Sequence, residues 1–129
     1  MSYRLSSTPD AHLVQLTFEQ QSNAAERREA YTALGALVAE DGATKALIDV
    51  THLRATYATM VSYDHAVQLA ERMPPGLRLA VLLSADPAQL GAASFVRDVA
   101  NNRGLAMELF STRDDALDWL GVTAGAGTL

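Results

Sequence analysis

The C-terminal quarter of the chain constrains the fold most narrowly, because it has the pattern of a helix end, a strand and a second helix. Gly104 follows a polar segment and is suited to the left-handed conformation that closes a helix. An alternating segment then runs to Phe110, and Ser111 or Thr112 can cap the helix that follows. The same alternation of helix and strand begins near residue 23. The sequence therefore predicts an α/β fold more clearly than it predicts a chemistry.

The remaining elements follow from hydrophobic periodicity. Residues 3–7 and 12–18 are predicted strands of a half-exposed hairpin. A helix is predicted to begin after Asn23 and to end at Gly42, with an apolar stripe of Ala30, Tyr31, Leu34, Leu37 and Val38. The runs 44–51 and 77–84 have apolar centres without polar alternation, Ala46-Leu47-Ile48 and Leu79-Ala80-Val81-Leu82-Leu83, which is typical of strands covered on both faces. A helix is predicted at 59–73, and Asp86-Pro87 begins another whose inward stripe is Ala92, Phe95, Val96 and Val99.

The predicted order is ββαβαβαβα, which indicates a mixed, mostly parallel sheet flanked by helices. We expect a single α/β domain over residues 3–122 and a flexible tail over 123–129, where small residues offer little to anchor the chain. A length of 129 residues suits one domain with its own core.

Composition excludes several classes of function. The chain has no cysteine, which rules out disulfides, thiolate catalysis and cysteine-built metal sites and favours a cytoplasmic location. No apolar run has the length of a signal peptide or a membrane span, so neither secretion nor membrane insertion is expected. The net charge is −5 and the basic residues are scattered, so we expect no binding to nucleic acid.

In three features the sequence resembles the SpoIIAA-like superfamily, which includes STAS domains and anti-sigma-factor antagonists. They are the element order, the strand Leu47-Ile48-Asp49-Val50 with the loop after it, and the ending Leu109-Phe110 followed by Asp115-Ala116-Leu117-Asp118-Trp119-Leu120. The resemblance covers residues 3–122. It implies a regulatory domain that acts without catalysis and binds a protein partner through the loop after the third strand and the helix behind it. In the STAS branch, phosphorylation of a serine at the start of that helix is the switch.

This chain departs from the family pattern at the switch. Counted from Asp49, the acidic residue and serine of the family fall at Tyr57 and Ala58, so both are missing. Thr56 and Thr59 are the nearby hydroxyls that could replace the serine, although capping of a helix is the simpler explanation for both. We therefore expect a partner-binding surface over residues 51–64 and leave the switch open. The candidate residues for partner binding or for the switch are Thr51, His52, Thr56, Tyr57, Thr59 and Tyr63.

A pocket for a small apolar ligand is the first alternative function. Tyr57, Met60 and Met73, with Phe95 and Val96 opposite them, could line such a pocket, because methionine adapts to irregular apolar guests. Filling an ordinary core is the simpler interpretation of the same residues.

A hydrolase is the weaker alternative. Asp49 ends a predicted central strand and His52 follows three residues later, so the carboxylate could orient an imidazole, with Thr51 or Ser84 as the nucleophile. No Gly-x-Ser-x-Gly motif surrounds a serine, and no histidine pair has the spacing of metal ligands. We therefore expect no enzyme activity, no cofactor and no metal.

Self-association is also open at the level of sequence. Residues 105–110 are expected to form an outer strand with a single interior charge, Glu108. Such an edge can pair with the same strand of a second copy, giving a homodimer.

Overall fold

The computed structural model describes residues 3–8, 11–18, 24–51, 67, 71–74, 76–83 and 87–122. Its elements are β1 (Tyr3–Thr8), β2 (Leu13–Phe18), α1 (Ala24–Asp41), β3 (Lys45–Asp49), β4 (Arg78–Leu82), α2 (Pro87–Asn102), β5 (Ala106–Phe110) and α3 (Arg113–Leu120). Of the helix predicted at 59–73, Val67, Glu71 and Arg72 are helical, and most of the rest lies outside the described residues. The predicted tail, 123–129, also lies outside them.

The five strands form one sheet in the order β1-β2-β3-β4-β5. β1 and β2 are antiparallel, whereas β2, β3, β4 and β5 run parallel to their neighbours. This confirms the predicted α/β class with a mixed, mostly parallel sheet, and β3 is central as expected. Among the described strands the spatial order follows the chain without reversing, so this part of the sheet has no topological switch point, the place where open α/β sheets commonly bind ligands.

The larger part of the core lies between one face of the sheet and helices α1 and α2. The stripe predicted for α1 is confirmed, because Ala30, Tyr31, Leu34 and Val38 are buried there. Alternate residues of the strands complete this cluster, and Phe18 meets Tyr31 edge to face with ring centroids 5.9 Å apart. Burial of these side chains is the main favourable contribution to folding.

Helix α3 covers part of the opposite face. Its Ala116, Leu117 and Leu120 pack against a second, smaller buried cluster that includes Leu13 and Leu47. This packing explains why Leu13 is fully buried, although the alternation in β2 predicted a half-exposed hairpin. The remaining cluster members from the sheet are Ala80 and Leu82.

Trp119, the single tryptophan, packs along the same face. Its ring lies 5.7 Å from the ring of Phe110, and the Arg78 guanidinium stacks 4.4 Å from its centroid. Trp119 thus covers the β4–β5 side of the sheet.

The inward stripe predicted for α2 is wrong at Phe95, which is 36% exposed. Val99 is only partly buried, and among the side chains of this helix that the structure describes, Ala100 is the one that enters the core. The reason is position: α2 packs on β5, an outer strand, which covers a narrower stripe of the helix than a central strand would. The side chains of Ala92 and Val96 lie outside the described residues.

Helix boundaries agree with the predicted signals. Gly42 and Gly104 follow α1 and α2 with φ of +64° and +94°, the left-handed region that favours glycine. Thr112 is the N-cap of α3, and its hydroxyl accepts a hydrogen bond of 3.2 Å from the Asp115 amide. Of the helices in the described part of the chain, none has the length and apolar character needed to cross a bilayer.

Candidate functional site

Of the six residues predicted for the partner-binding surface, Thr51 alone is among the described residues. His52, Thr56, Tyr57, Thr59 and Tyr63 lie outside them, so their arrangement stays a prediction. Thr51 nevertheless fixes where this surface begins. It follows the carboxyl end of the central strand β3, two residues after Asp49.

Asp49 is a buried acidic residue that organises the start of the loop. Asp49 is 8% exposed, and it ends β3 on the face of the sheet that α3 partly covers. Asp49 Oδ1 accepts a hydrogen bond of 2.9 Å from the Thr51 amide and one of 2.6 Å from the Thr51 hydroxyl. Aspartate commonly closes such a local turn with the backbone two residues on. The carboxylate therefore sets the direction in which the chain leaves β3.

Arg113 supplies the positive charge that faces Asp49. Its Nη2 lies 3.8 Å from Asp49 Oδ2, while its Nη1 donates a 2.7 Å hydrogen bond to Gln15 Oε1. The Arg113 side chain is 43% exposed and that of Asp49 is 11% exposed. A carboxylate this far from water needs an opposite charge or hydrogen-bond donors to offset the cost of desolvation. Gln15, Asp49, Thr51 and Arg113 together are called the Asp49 cluster below.

The cluster joins elements that are distant in sequence. Gln15 lies in β2 opposite Leu47, Asp49 ends β3 and Arg113 begins α3. Arg113 thereby links the start of α3 to β2 and β3. Because Thr17 pairs with Asp49, the carboxyl ends of β2 and β3 meet beside the cluster. The chain is therefore held at Thr51 on this edge of the sheet.

Sequence reasoning identified Asp49 and Thr51 but missed Gln15 and Arg113. Gln15 and Arg113 are 98 positions apart, so no local pattern connects them. Two signals were nevertheless present. Gln15 interrupts the largely apolar strand β2, and Arg113 occupies the first turn of a helix, where the helix dipole disfavours a cation. A cation in that position indicates a partner elsewhere in the fold.

The described members of the predicted apolar pocket occupy different surroundings. Met73 is 6% exposed and belongs to the main core cluster, whereas Phe95 lies on the surface of α2. Tyr57 and Met60, as well as the side chain of Val96, lie outside the described residues. Met73 thus serves as a core residue, in agreement with the simpler of the two interpretations of this group.

The described residues contain no group of three or more histidine and acidic side chains that could hold a metal ion. The chain matches no protein-family model and no curated protein. Function is therefore inferred from the α/β fold and from the Asp49 cluster.

Proposed function

We propose that this chain is a non-enzymatic regulatory domain, similar to SpoIIAA and STAS domains, that binds a protein partner through residues 51–64. The observation that carries the proposal is the bonding of Asp49. Both of its carboxylate oxygens are engaged within the fold, Oδ1 by Thr51 and Oδ2 by the neighbouring Arg113. Asp49 is thus a structural anchor for the loop that leaves β3.

An anchored loop suits recognition. Ordering a flexible segment on binding costs free energy, roughly 0.5–1.5 kcal/mol for each side chain that becomes immobile. The two bonds from Thr51 to Asp49 order the start of the loop before a partner arrives. Binding then loses less conformational entropy than it would with an unanchored loop.

The bonding of Asp49 also favours this function over a hydrolase. A catalytic carboxylate must accept a hydrogen bond from the imidazole that it orients. In this fold Asp49 Oδ1 already accepts two bonds from Thr51, and the guanidinium of Arg113 lies nearest Oδ2. Binding of a protein partner requires no catalytic role for the Asp49 carboxylate.

The first test compares partner capture by the parent chain and by a variant with Thr56→Ala, Tyr57→Ala and Thr59→Ala. Tagged proteins are incubated with lysate, and the captured proteins are quantified by mass spectrometry and then purified for calorimetry. We expect the triple variant to lose the partner while its thermal midpoint stays within a few degrees of the parent. The matched control carries Glu40→Ala and Asn102→Ala, exposed residues near the ends of α1 and α2. This control should bind like the parent.

A second variant tests the anchor itself. Thr51→Val removes the hydroxyl that bonds to Asp49 but keeps the backbone amide and a similar volume, and Thr51→Ser is its matched control. We expect Thr51→Val to weaken binding of the purified partner roughly fivefold, the equivalent of about 1 kcal/mol for one hydrogen bond. Full binding by both the triple variant and Thr51→Val would place the partner surface elsewhere and contradict the proposal.

A further inference from the structure

Strand β5 is an outer strand of the sheet, and an outer strand presents backbone amides and carbonyls to any strand that can pair with them. At Met107 both groups are bonded to one side chain. The Met107 amide donates a 2.9 Å hydrogen bond to Asn101 Oδ1, and Asn101 Nδ2 donates a 3.2 Å bond to the Met107 carbonyl. In an antiparallel pair, the facing residue would make the same two bonds. The carboxamide of Asn101 therefore stands in for a neighbouring strand.

The next outward position of β5 is also bonded. The Leu109 amide donates a 2.9 Å hydrogen bond to Oε1 of Glu108. The same oxygen of Glu108 lies 3.3 Å from Nη1 of Arg97, whose Nε contacts Asp98 at 3.2 Å. Two successive positions on this edge, 107 and 109, thus have side chains of the same protein where a second strand would bond.

The end of α2 holds Asn101 in place. Asn101 lies in the last turn of the helix, and its carbonyl accepts a 3.1 Å bond from the Gly104 amide. Gly104 adopts φ of +94°, and the Leu105 amide returns to the Ala100 carbonyl at 3.1 Å. This closure turns the chain straight from α2 into β5. Asn101 consequently faces the outer side of the strand that follows it.

We propose that Asn101 is a clamp that closes the β5 edge, and that β5 pairs with β5 of a second copy of this chain once the clamp is removed. A second copy is the occupant because it offers an identical strand, and antiparallel pairing about a twofold axis satisfies both edges at once. Glu108 of each edge has a counter-ion of its own, Arg97 at 3.3 Å, which limits the repulsion between the Glu108 carboxylates when two copies of the edge meet.

The test compares the parent chain with Asn101→Ala, and Asn102→Ala is the matched control on the adjacent exposed residue of the same helix. The first readout is amide hydrogen exchange at Met107. Loss of the acceptor in Asn101→Ala should speed this exchange about tenfold at concentrations too low for pairing, as expected for the loss of a hydrogen bond to a structured amide. Unchanged exchange would show that the clamp is absent.

The second readout is association. Sedimentation velocity over a wide range of concentration should show Asn101→Ala moving toward a dimer, while Asn102→Ala behaves like the parent. Asn101→Asp offers a further folded variant, since it keeps an acceptor for the Met107 amide and loses the donor to the Met107 carbonyl. We expect it to associate less than Asn101→Ala and more than the parent. If Asn101→Ala and Asn101→Asp both sediment like the parent at every concentration, the proposed pairing is wrong.

A spin label identifies the surface used. The chain has no cysteine, so Ala106→Cys, at the exposed start of β5, introduces a single site for a nitroxide. Combined with Asn101→Ala, it should give a short distance between two labels, and in the otherwise unchanged chain it should give none. Association without a short distance would mean that the copies meet elsewhere, which would also overturn the proposal.

Discussion

Gly35 lies where α1 comes closest to the segment before β4, and its replacement by alanine gives the most direct test of the packing. A Cβ built on Gly35 would lie 2.6 Å from the Arg72 carbonyl oxygen and 3.7 Å from the Arg72 Cβ. The first distance is far below an ordinary van der Waals contact, and the contacted atom belongs to the backbone. No side-chain rotation can relieve it, so the helix or the segment must move.

Both partners are held against such a movement. The Arg72 Nε donates a 2.9 Å hydrogen bond to Thr32 Oγ1, and Met73 is buried in the main core. On α1, Leu34 is fully buried next to Gly35. Widening the contact from 2.6 Å to the 3.4 Å of ordinary contact would loosen these side chains as well. Overpacking of this kind costs about 1–3 kcal/mol, and the upper half of that range applies because the obstacle is backbone.

The expected net effect includes helix propensity. Alanine in a helix interior is more favourable than glycine by about 1 kcal/mol, which offsets part of the overlap at Gly35. We therefore expect Gly35→Ala to lower the free energy of unfolding by about 1–2 kcal/mol. Gly91, in α2, is the matched control, since a Cβ there meets no atom of the described residues within 4 Å. Gly91→Ala should gain up to about 1 kcal/mol from propensity alone.

Urea unfolding followed by circular dichroism and by the fluorescence of Trp119 measures both variants. The slope of each transition should stay near that of the parent, so that the midpoint reports stability. If Gly35→Ala were stabilised as much as Gly91→Ala, the close approach of α1 to Arg72 would be refuted.

Two further predictions concern the N-cap of α3 and the outer strand β1. Thr112→Ala removes the acceptor of the Asp115 amide and should cost about 1 kcal/mol in urea unfolding, whereas Thr112→Ser should restore most of it; equal losses would show that the cap is unimportant. Partial burial, followed by the charge of Glu29, raises the pKa of the Tyr3 hydroxyl above 10.0, so the folded state holds this proton more tightly. The stabilisation that comes from this raised pKa is complete below pH 10 and is lost as pH rises through the folded pKa. Tyr3→Phe should therefore lose less stability than the parent in alkaline urea titrations. Identical pH profiles of the two proteins would contradict this.

The elements could be predicted from the sequence because each depends on neighbours along the chain. Glycine after α1 and after α2, threonine before α3 and the apolar run of β3 are local signals with local causes. The exposure of Phe95 could not be predicted in the same way. Periodicity shows which residues share a helix face, but the width of the covered stripe depends on whether the strand below is central or outer. That position follows from the order of the whole sheet.

The polar residues show the same limit more sharply. Asp49 could be chosen from the sequence as an acidic residue at a strand end. Its structural role could not be predicted, because Arg113 reaches it only after the sheet and α3 have assembled. Asn101 has the sequence context of a helix end, and its bonds to Met107 appear only once β5 turns back beside it. A carboxylate away from water, such as that of Asp49, must find such partners, because an unpaired buried polar group costs about 1–3 kcal/mol. The sequence alone therefore does not show whether a polar residue at a strand end or an outer edge binds a partner or stabilises the fold.

The internal roles of these polar groups narrow where a partner can bind. Asn101 and Glu108 bond to the outward backbone of β5, and α1 and α2 cover one face of the sheet. The opposite face is partly covered by α3, whose first residue, Arg113, reaches across to β2. The carboxyl end of β3 differs from these surfaces, because the bonds from Thr51 to Asp49 order the chain as far as residue 51. A recognition segment benefits from such an ordered start, and this is the physical reason for proposing the partner at residues 51–64 and not along the β5 edge.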